Sequence, residues 1–289
     1  MKPYALITGA AGGMGSEITK ALAQAGYPII MACRDLKKAE FKRAQIIQET
    51  GNSQIEIEYL NLASLQEVKK FSEKIKQKQI KIGLLMNNAG MMPCHFSKTK
   101  DGLEETVSVN YLGTVLLTRL LEDCMIQGSR IVNMVSLTYK YGQLDFDDFF
   151  TQGKKGGFSR LSIYSNTKLA LTLFTLKYAE MVKFKGITVN AADPGIVSTP
   201  IIRMNKWFDV LTDWFYRPLI RTPRQGADTA IRLLLDAEYE SQTGNCYKNG
   251  KKINLKFSTQ NHELLKEELW QKTEEIFQNN VNFSENNPL

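Results

Sequence analysis

Short apolar segments alternate with amphipathic segments along most of the chain. Residues 4–8 form the first apolar run, and after a glycine-rich turn Ile18, Ala21, Leu22 and Ala25 recur at intervals of three and four residues. This spacing is typical of one face of a helix, whereas a short apolar run bounded by turn residues indicates a buried strand. A glycine ends the helix and a second apolar run follows. The N-terminal segment therefore has the strand, turn, helix, strand order of a βαβ unit.

The same alternation continues toward the C-terminus. It predicts further strands at residues 55–60, 80–86, 130–135, 186–192 and 244–247, and helices at 37–50, 64–78, 103–126, 224–236 and 261–278. One more helix contains residues 164–168 and extends to about residue 183. Strands that alternate with helices predict an α/β fold, here a Rossmann-type doubly wound parallel sheet with helices on both faces. No repeat, linker or change in composition divides residues 1–289, which favours a single domain.

The turn after the first strand reads Thr8-Gly9-Ala10-Ala11-Gly12-Gly13-Met14-Gly15. Glycines allow the backbone to turn sharply and bring the N–H groups at the start of the helix close to a pyrophosphate. The spacing differs from the usual G-x-G-x-x-G pattern, yet the turn lies between a strand and a helix, where such a pattern is informative. The first βαβ unit therefore predicts a dinucleotide site.

The end of the second strand predicts which dinucleotide binds. An acidic side chain there binds the ribose 2′-hydroxyl of NAD, whereas an arginine accepts the 2′-phosphate of NADP. Cys33 holds the acidic position and Arg34 follows it directly, with Lys37 and Lys38 just beyond. We therefore expect NADP(H) to be preferred over NAD(H). The alternative is that Arg34 pairs with its neighbour Asp35.

Tyr164 and Lys168 lie four residues apart, and in a helix this spacing puts both on one face. A free tyrosine has a pKa of about 10, and a nearby cation lowers that pKa because it favours the phenolate. A phenol tuned in this way acts as a general acid or base. Ser136 follows a predicted strand and belongs at the carboxyl edge of the sheet, where open α/β folds bind ligands. Asn110 lies within a predicted helix, where an asparagine usually bonds to backbone.

Taken in order, these segments resemble the short-chain dehydrogenase/reductase family. The matching motifs cover residues 4 to about 250 and are Thr8-Gly9-xxx-Gly13-x-Gly15, Asn87-Asn88-Ala89-Gly90, Asn110, Ser136, Tyr164-xxx-Lys168 and Pro194-Gly195. A narrower resemblance is to the retinol-dehydrogenase-like branch, carried by Ala32-Cys33-Arg34, residues 109–113, Asp145-Phe146-Asp147-Asp148 and Trp270. The resemblance implies a Rossmann fold and oxidoreductase activity on an alcohol or carbonyl group.

The resemblance also implies a role for each matching residue. Tyr164 would exchange a proton with the substrate oxygen, and Lys168 would lower the pKa of Tyr164 and bind the nicotinamide ribose. Ser136 would hydrogen-bond the substrate, and Asn110 would hold a water behind Lys168. Cofactor contacts are expected from Thr8, Gly9, Gly13, Met14, Gly15, Arg34, Asn61, Leu62, Asn88, Ala89, Gly90, Tyr164, Lys168, Pro194, Gly195, Val197 and Thr199.

Three positions depart from the family pattern. Asn61 replaces a frequent Asp beside the adenine, and Met134-Val135 replaces smaller residues before the catalytic serine. Asp193 stands before Pro194-Gly195, where this branch commonly has His. None of these changes removes a group assigned to catalysis.

Residues 200–221 differ in composition from the rest of the chain. They carry the aromatic residues Trp207, Phe208, Trp214, Phe215 and Tyr216. One interpretation is core packing under a loop, and a second is a lid whose apolar inner face receives a lipophilic substrate. A third is shallow membrane attachment, since basic residues flank the aromatic run 207–216. We favour the substrate lid.

Composition narrows the class of protein further. Apolar residues make up 43% and charged residues 23% of the chain, and the formal charge is +7, as in ordinary globular proteins. The basic residues do not cluster with aromatic side chains, which argues against a nucleic-acid partner. With two histidines in the chain, a histidine-based zinc site is not expected. We see neither a signal peptide nor a bilayer-long apolar run and therefore expect a cytoplasmic protein.

The sequence thus predicts an NADP(H)-dependent oxidoreductase that interconverts a lipophilic alcohol and its carbonyl. One alternative is an NAD-preferring dehydrogenase of the same fold, and another is a non-catalytic regulator that senses NADP(H). The second is disfavoured because all four residues of the catalytic set are present. Homo-oligomerisation is expected only by analogy with the family, and the substrate's identity does not follow from the sequence.

Overall fold

Strands and helices alternate through the computed structural model, which describes residues 2–151, 158–197, 221–257 and 261–281. The strands are β1 (Tyr4–Thr8), β2 (Ile29–Cys33), β3 (Ile55–Tyr59), β4 (Ile82–Asn87), β5 (Met125–Met134), β6 (Thr188–Asp193), β7 (Asn245–Lys248) and β8 (Lys251–Lys252). The α-helices are α1 (Gly13–Gln24), α2 (Leu36–Thr50), α3 (Leu65–Gln77), α4 (Glu105–Val107), α5 (Gly113–Leu120), α6 (Arg160–Val182), α7 (Pro223–Leu235) and α8 (His262–Val281). Thr199 and the predicted lid at 200–221, except Arg221, lie outside the described residues.

The described strands form one sheet in the order β3-β2-β1-β4-β5-β6-β7-β8. The strands from β3 to β7 in that order are parallel, and β8 is antiparallel to β7. The direction in which strands are added reverses between β1 and β4. Such a switch point opens a crevice at the carboxyl ends of the strands, where ligands bind in this class of fold. The architecture confirms the predicted doubly wound sheet with helices on both faces.

Side chains of the central strands alternate between two apolar layers. Leu6 of β1 packs in the layer that contains α3, α5, α6 and α8, whereas Ala5 and Ile7 pack in the layer that contains α1, α2 and α7. All three side chains are fully buried. Burying an aliphatic side chain stabilises a fold by about 1.5–3 kcal/mol. The strand is apolar on both faces because helices cover both faces of a parallel sheet.

Helix α8 packs against α3 and α6 in the helical layer on one face of the sheet. Its Phe277 is fully buried, and its Trp270 lies parallel to Phe174 of α6 with ring centroids 6.4 Å apart. The helix predicted at residues 261–278 is therefore present, and it continues to Val281, whose carbonyl accepts a hydrogen bond from a lysine of α3.

The helix predicted over residues 103–126 is wrong in its extent. The segment divides into α4, a π-helical turn (Ser108–Leu112) and α5, which ends at Leu120. Strand β5 then begins at Met125 rather than at residue 130. A polar stretch in β5 interrupts the apolar pattern, and Ser129 holds that stretch in place through hydrogen bonds of its hydroxyl to the backbones of β4 and β5.

The edge of the sheet that carries β7 and β8 extends beyond the predicted strands. Asn249 and Gly250, with φ of 55° and 69°, form a turn that leads into the antiparallel strand β8. Asp193, one residue beyond the strand predicted at 186–192, is the last residue of β6 and pairs in register with Lys248 of β7. Across the described segments, no helix combines the length and the apolar character that crossing a bilayer requires.

Candidate active site

A cleft of about 360 Å³ opens at the carboxyl ends of β1, β2 and β4. The predicted cofactor residues that line it are Thr8, Gly9, Gly13, Met14, Gly15, Arg34, Asn61, Leu62, Asn88, Ala89 and Gly90. Lys38 and Met91, which the sequence argument did not assign, also line it. Val197 reaches the same region, since Val197 and Met14 both pack against Gly226.

The glycine-rich turn is shaped by close backbone approach. Gly9 has φ of +63°, a conformation that side chains disfavour, and a Cβ on Gly15 would lie 2.2 Å from the Gly9 carbonyl oxygen. Thr8 Oγ1 accepts hydrogen bonds from the backbone N–H groups of Asn88 and Ala89, both at 3.0 Å. The turns after β1 and β4 are therefore held together, and the two form one wall of the cleft.

The start of α1 fits a pyrophosphate. The residue before the helix is Gly12, which has no side chain to accept a hydrogen bond from the first N–H groups, and the first turn has no acidic residue. Unsatisfied N–H groups and the positive end of the helix dipole favour an anion at this place. The cradle of small residues around Gly9 and Gly15 leaves room for it. The described residues thus fit a nicotinamide dinucleotide at this end of the cleft.

The end of β2 presents cationic groups and a neutral thiol. Arg34, Asp35 and Lys38 line the cleft, and the carboxylate of Asp35 caps α2 by accepting from the Lys38 N–H at 3.0 Å. This cap accounts for Asp35 without an ion pair to Arg34. Cys33 is buried beneath the turn, where burial raises the pKa of its thiol and the N–H groups of Ala10 and Ala11 lower it. The position that would bind an NAD ribose therefore has no negative charge of its own.

Ser136, Tyr164 and Lys168 meet at the carboxyl ends of β5 and β6. The Ser136 hydroxyl lies within hydrogen-bonding reach of the Tyr164 phenol and accepts from the Thr138 N–H at 3.3 Å. Lys168 Nζ donates to the Met134 carbonyl at 2.8 Å and lies 5.4 Å from the centre of the Tyr164 ring. Helix α6 places both side chains on one face, as the four-residue spacing predicts.

The protonation behaviour of this pair differs from the expectation. Burial raises the pKa of Tyr164 to about 12, helped by the negative charge of Asp193 and opposed by the hydrogen bond from Ser136. Burial lowers the pKa of Lys168 to about 8. We expected the lysine to lower the pKa of the tyrosine, but desolvation of the phenol is the larger effect in this structure.

Asn110 joins the site to the cleft through its side-chain amide. Its Oδ1 accepts from the Met91 N–H at 2.8 Å, and its Nδ2 donates to the Met91 carbonyl at 2.9 Å and to Thr167 Oγ1 at 3.2 Å. The Thr167 hydroxyl donates to the Tyr164 carbonyl at 2.8 Å. The asparagine therefore bonds to another segment rather than to its own helix. Thr167 was overlooked because it appeared only as a spacer between the tyrosine and the lysine.

The nicotinamide side of the site remains a prediction for Pro194 and Gly195. These residues follow β6, and Gly195 has φ of +73° with the Arg221 side chain packed against it. Gly90 lies between the two halves of the site, because a Cβ placed there would be 3.5 Å from Asn110 Oδ1 and 3.7 Å from Lys168 Nζ. The predicted catalytic set thus adjoins the end of the cleft.

Exposed apolar side chains occur in the segments that carry Tyr164 and Gly195. Leu161, in the first turn of α6 and three residues before Tyr164, is 59% exposed, and Ile196, which follows Gly195, is 61% exposed. Phe96 and Phe158 contact each other edge to face with ring centroids 6.3 Å apart. Apolar groups left in water beside a polar site are typical of a surface that receives an apolar ligand.

Comparisons with known proteins agree with this geometry. Residues 3–147 match the family model described as short chain dehydrogenase. Retinol dehydrogenase 11 of Mus musculus is 35% identical over 268 residues, which cover 92% of this chain and 83% of that protein. Polyprenol dehydrogenase of Homo sapiens is 34% identical over 284 residues, which cover 94% of this chain and 84% of that protein.

A solved structure shares the fold at lower identity. The short chain dehydrogenase from Burkholderia cenocepacia, in complex with NADP, superposes with a TM-score of 0.68 and 20% identity, covering 85% of this chain and 95% of that one. The family model matches half of the chain, and the two relatives extend the match over nearly all of it. The chain therefore belongs to the short-chain dehydrogenase/reductase family, in its retinol-dehydrogenase-like branch.

Proposed function

We propose that this protein is an NADP(H)-dependent oxidoreductase that interconverts a lipophilic alcohol and its aldehyde or ketone. The observation that carries the proposal is the convergence of Ser136, Tyr164 and Lys168 beside the cleft, with Lys168 Nζ 5.4 Å from the centre of the Tyr164 ring and next to Gly90 of the cleft wall. Family membership supports oxidoreductase chemistry on alcohol and carbonyl groups. The finer assignments rest on the residues that follow.

Tyr164 is the proposed proton donor and acceptor. When bound, NADPH supplies a hydride to the carbonyl carbon. Tyr164 donates the proton that the carbonyl oxygen takes up, and in alcohol oxidation its phenolate accepts that proton. Because burial raises the pKa of the phenol to about 12, the group is protonated at neutral pH and acts as the acid in reduction. Ser136 hydrogen-bonds the same substrate oxygen and orients it toward the phenol.

Lys168 supports the proton transfer from the next turn of α6. Its ammonium, 5.4 Å from the centre of the phenol ring, stabilises negative charge on that ring as the proton leaves. Its own pKa, which burial lowers to about 8, lies close enough to neutrality for it to exchange protons with its surroundings. Its Nζ lies beside Gly90 at the end of the cleft, where it is placed to bind the nicotinamide ribose.

The preference for NADP(H) rests on the charges at the end of β2. Arg34 and Lys38 supply two cations at the cleft, and the carboxylate of Asp35 is occupied as a helix cap. Cys33 leaves the site without the carboxylate that would repel a 2′-phosphate. A solved relative of the same fold was obtained with NADP, which supports the same cofactor here.

The preference for a lipophilic substrate rests on the exposed apolar groups in the segments that carry Tyr164 and Gly195. Leu161 and Ile196 offer exposed aliphatic surface there. Two relatives that match nearly the whole chain are named for retinol and polyprenol, both of which are long apolar alcohols. An apolar substrate would cover this surface and exclude water from the reacting atoms.

Replacing Tyr164 tests the chemistry. Turnover of NADPH with retinal and with a polyprenal should fall by about 10²–10⁴-fold in Tyr164→Phe, because the proton donor is lost. NADPH affinity, measured by fluorescence titration, should stay within about threefold, since the phenol hydroxyl supplies at most one of many cofactor contacts. Tyr141→Phe is the matched control, because Tyr141 is 77% exposed and should be neutral. Unchanged turnover in Tyr164→Phe would refute the proposal.

Replacing Arg34 tests the cofactor preference. Arg34→Ala should raise the Kd for NADPH by about 10–100-fold, the amount expected for a charged hydrogen bond to phosphate, and change the Kd for NADH by less than about twofold. Lys37→Ala is the control, because Lys37 is exposed and, unlike the neighbouring Lys38, does not line the cleft. Equal losses for the two cofactors would show that Arg34 does not contact the 2′-phosphate.

A further inference from the structure

We propose that Asp193 is a positioning residue for the proton transfer, which holds the turn after β6 beside the end of β5 and, with Lys248 as its counter-ion, controls the charge on the Tyr164 phenol. The inference rests on the proposed role of Tyr164 and extends it to a residue that the family pattern does not include. It also gives a physical role to the acidic residue that replaces the usual His before Pro194-Gly195.

The geometry shows where Asp193 lies relative to the two turns. The side chain is 1% exposed at the end of β6, and its Oδ1 accepts from the Gly195 N–H at 3.2 Å. Strand pairing places it beside the end of β5 that leads to Ser136, because the Val135 N–H donates to the Ala192 carbonyl at 3.0 Å. One buried carboxylate thus fixes the turn after β6 and lies next to the strand end that carries Ser136.

Few charged groups of the described residues lie around the Asp193 carboxylate, and the one that faces it, Lys248, is paired with it only loosely. Lys248, the cross-strand partner on β7, places its Nζ 3.7 Å from Oδ2. This distance suits an ion pair but exceeds a direct hydrogen bond, and within the described segments Oδ2 has no hydrogen-bond partner. Arg221 lies one residue further along, where its guanidinium donates to the Pro194 carbonyl at 3.3 Å. The negative charge of Asp193 is therefore only partly neutralised.

In the described part of the chain, three other titratable groups have pKa values that the charge of Asp193 raises, and all three are neutral near pH 7. Cys246 on β7 has its pKa raised to about 12 by burial and by Asp193, and the pKa of Tyr139, in the turn after β5, is raised in the same way. The third group is Tyr164 on α6, whose pKa Asp193 raises. Burial raises the pKa of Asp193 itself, while the Gly195 N–H and Lys248 lower it. When ionised, the carboxylate opposes formation of the phenolate.

Two substitutions should shift the pKa of the Tyr164 phenol in opposite directions. Asp193→Asn keeps an oxygen for the Gly195 N–H group but removes the negative charge, so the phenol should ionise at lower pH. Lys248→Met removes the counter-ion, so the phenol should ionise at higher pH. Alcohol oxidation requires the phenolate. The acidic limb of its pH–rate profile should therefore shift by about half a pH unit downward in Asp193→Asn and upward in Lys248→Met. Lys252→Met, on exposed β8, is the control and should not shift the limb.

The measurement is the pH dependence of kcat/KM for retinol oxidation with saturating NADP⁺, with fluorine NMR of fluorotyrosine-labelled protein as a second readout. The Tyr164 resonance is assigned by its loss in Tyr164→Phe, and its titration reports the phenol directly, even where a variant turns over slowly. If Asp193 and Lys248 had only structural roles, their substitution would lower kcat. The two variants would then not shift the pH profile or the phenol titration in opposite directions. Profiles of Asp193→Asn and Lys248→Met that coincide with the wild type, or that shift in the same direction, would overturn the inference. If Tyr164→Phe stays active, the proposed function itself fails, which is a distinguishable result.

Discussion

Replacing Lys168 with methionine should make the protein more stable and less active at the same time. The lysine is 3% exposed, and this burial lowers its pKa from the ordinary value of 10.5 to about 8. A group whose charged form is disfavoured in this way destabilises the fold whenever it carries that charge. Methionine has a similar length and no charge, so it fits the same space without the desolvation cost.

The magnitude follows from the two pKa values. Their difference corresponds to about 3 kcal/mol against the folded state at any pH below 8, where lysine is protonated in both states. The hydrogen bond from Nζ to the Met134 carbonyl offsets about 1 kcal/mol of this, because the substitution removes it. The free energy of unfolding of Lys168→Met should therefore exceed that of the wild type by about 2 kcal/mol at pH 7.

The pH dependence has a definite sign. Between about pH 8 and pH 10.5 the unfolded chain binds more protons at this position than the folded chain does, so the stability of the wild type rises with pH across that window. The methionine variant lacks this contribution. Its advantage should shrink from about 2 kcal/mol at pH 7 to nearly zero at pH 10, while groups that titrate elsewhere cancel in the comparison of the two proteins.

Urea unfolding followed by circular dichroism at several pH values measures this difference. Lys183→Met is the control, because that lysine follows the same helix but is exposed, and its substitution should change stability by less than about 0.5 kcal/mol at every pH. Turnover of Lys168→Met should fall by at least about 100-fold. A variant that is no more stable at pH 7, or whose gain does not vary with pH, would refute the assignment of a costly buried charge.

Two further substitutions test the cleft and the packing of the C-terminal helix. Gly15→Ala should weaken NADPH binding by at least about tenfold in fluorescence titration, because the added Cβ would lie 2.2 Å from the Gly9 carbonyl and would displace the turn; an unchanged Kd would contradict that role. Phe277→Ala should lower the free energy of unfolding by about 3–5 kcal/mol, since the ring is fully buried under α8, whereas Leu264→Ala on the same helix, 63% exposed, should cost less than about 0.5 kcal/mol. Equal losses would show that α8 does not pack as described.

The fold was predictable because hydrophobic periodicity records which faces are buried. Continuous apolar runs such as residues 82–86 indicate strands covered on both faces, and the structure covers them with helices. The segment 103–126 was harder, because its apolar spacing continues through the π-helical turn at Ser108–Leu112 and into strand β5. One extra residue in a helical turn changes the direction of the helix without changing the composition on which a pattern depends.

The candidate site was predictable in its membership more than in its electrostatics. Ser136, Tyr164 and Lys168 could be placed at one edge of the sheet because strand ends and helix spacing constrain where those residues lie. The pKa of Tyr164 could not, because it depends on how deeply the phenol is buried and on Asp193, which is distant in the sequence. Spacing alone indicates a nearby cation, but only packing decides whether desolvation is the stronger effect.

The position of Tyr164 is determined from both of its ends, and this explains why a buried lysine is tolerated beside it. Its carbonyl accepts from Thr167, which the Asn110 amide links to Met91, and its phenol lies within hydrogen-bonding reach of Ser136. Donors fixed before the reaction stabilise a developing charge without having to reorganise, which is where electrostatic catalysis gains most. The same rigid packing, which excludes water, also buries Lys168 in an apolar environment that disfavours its charged form. The unfavourable burial of the Lys168 charge and the proton transfer proposed for Tyr164 would therefore both follow from one packed arrangement, and a substitution that relieves the first should remove the second.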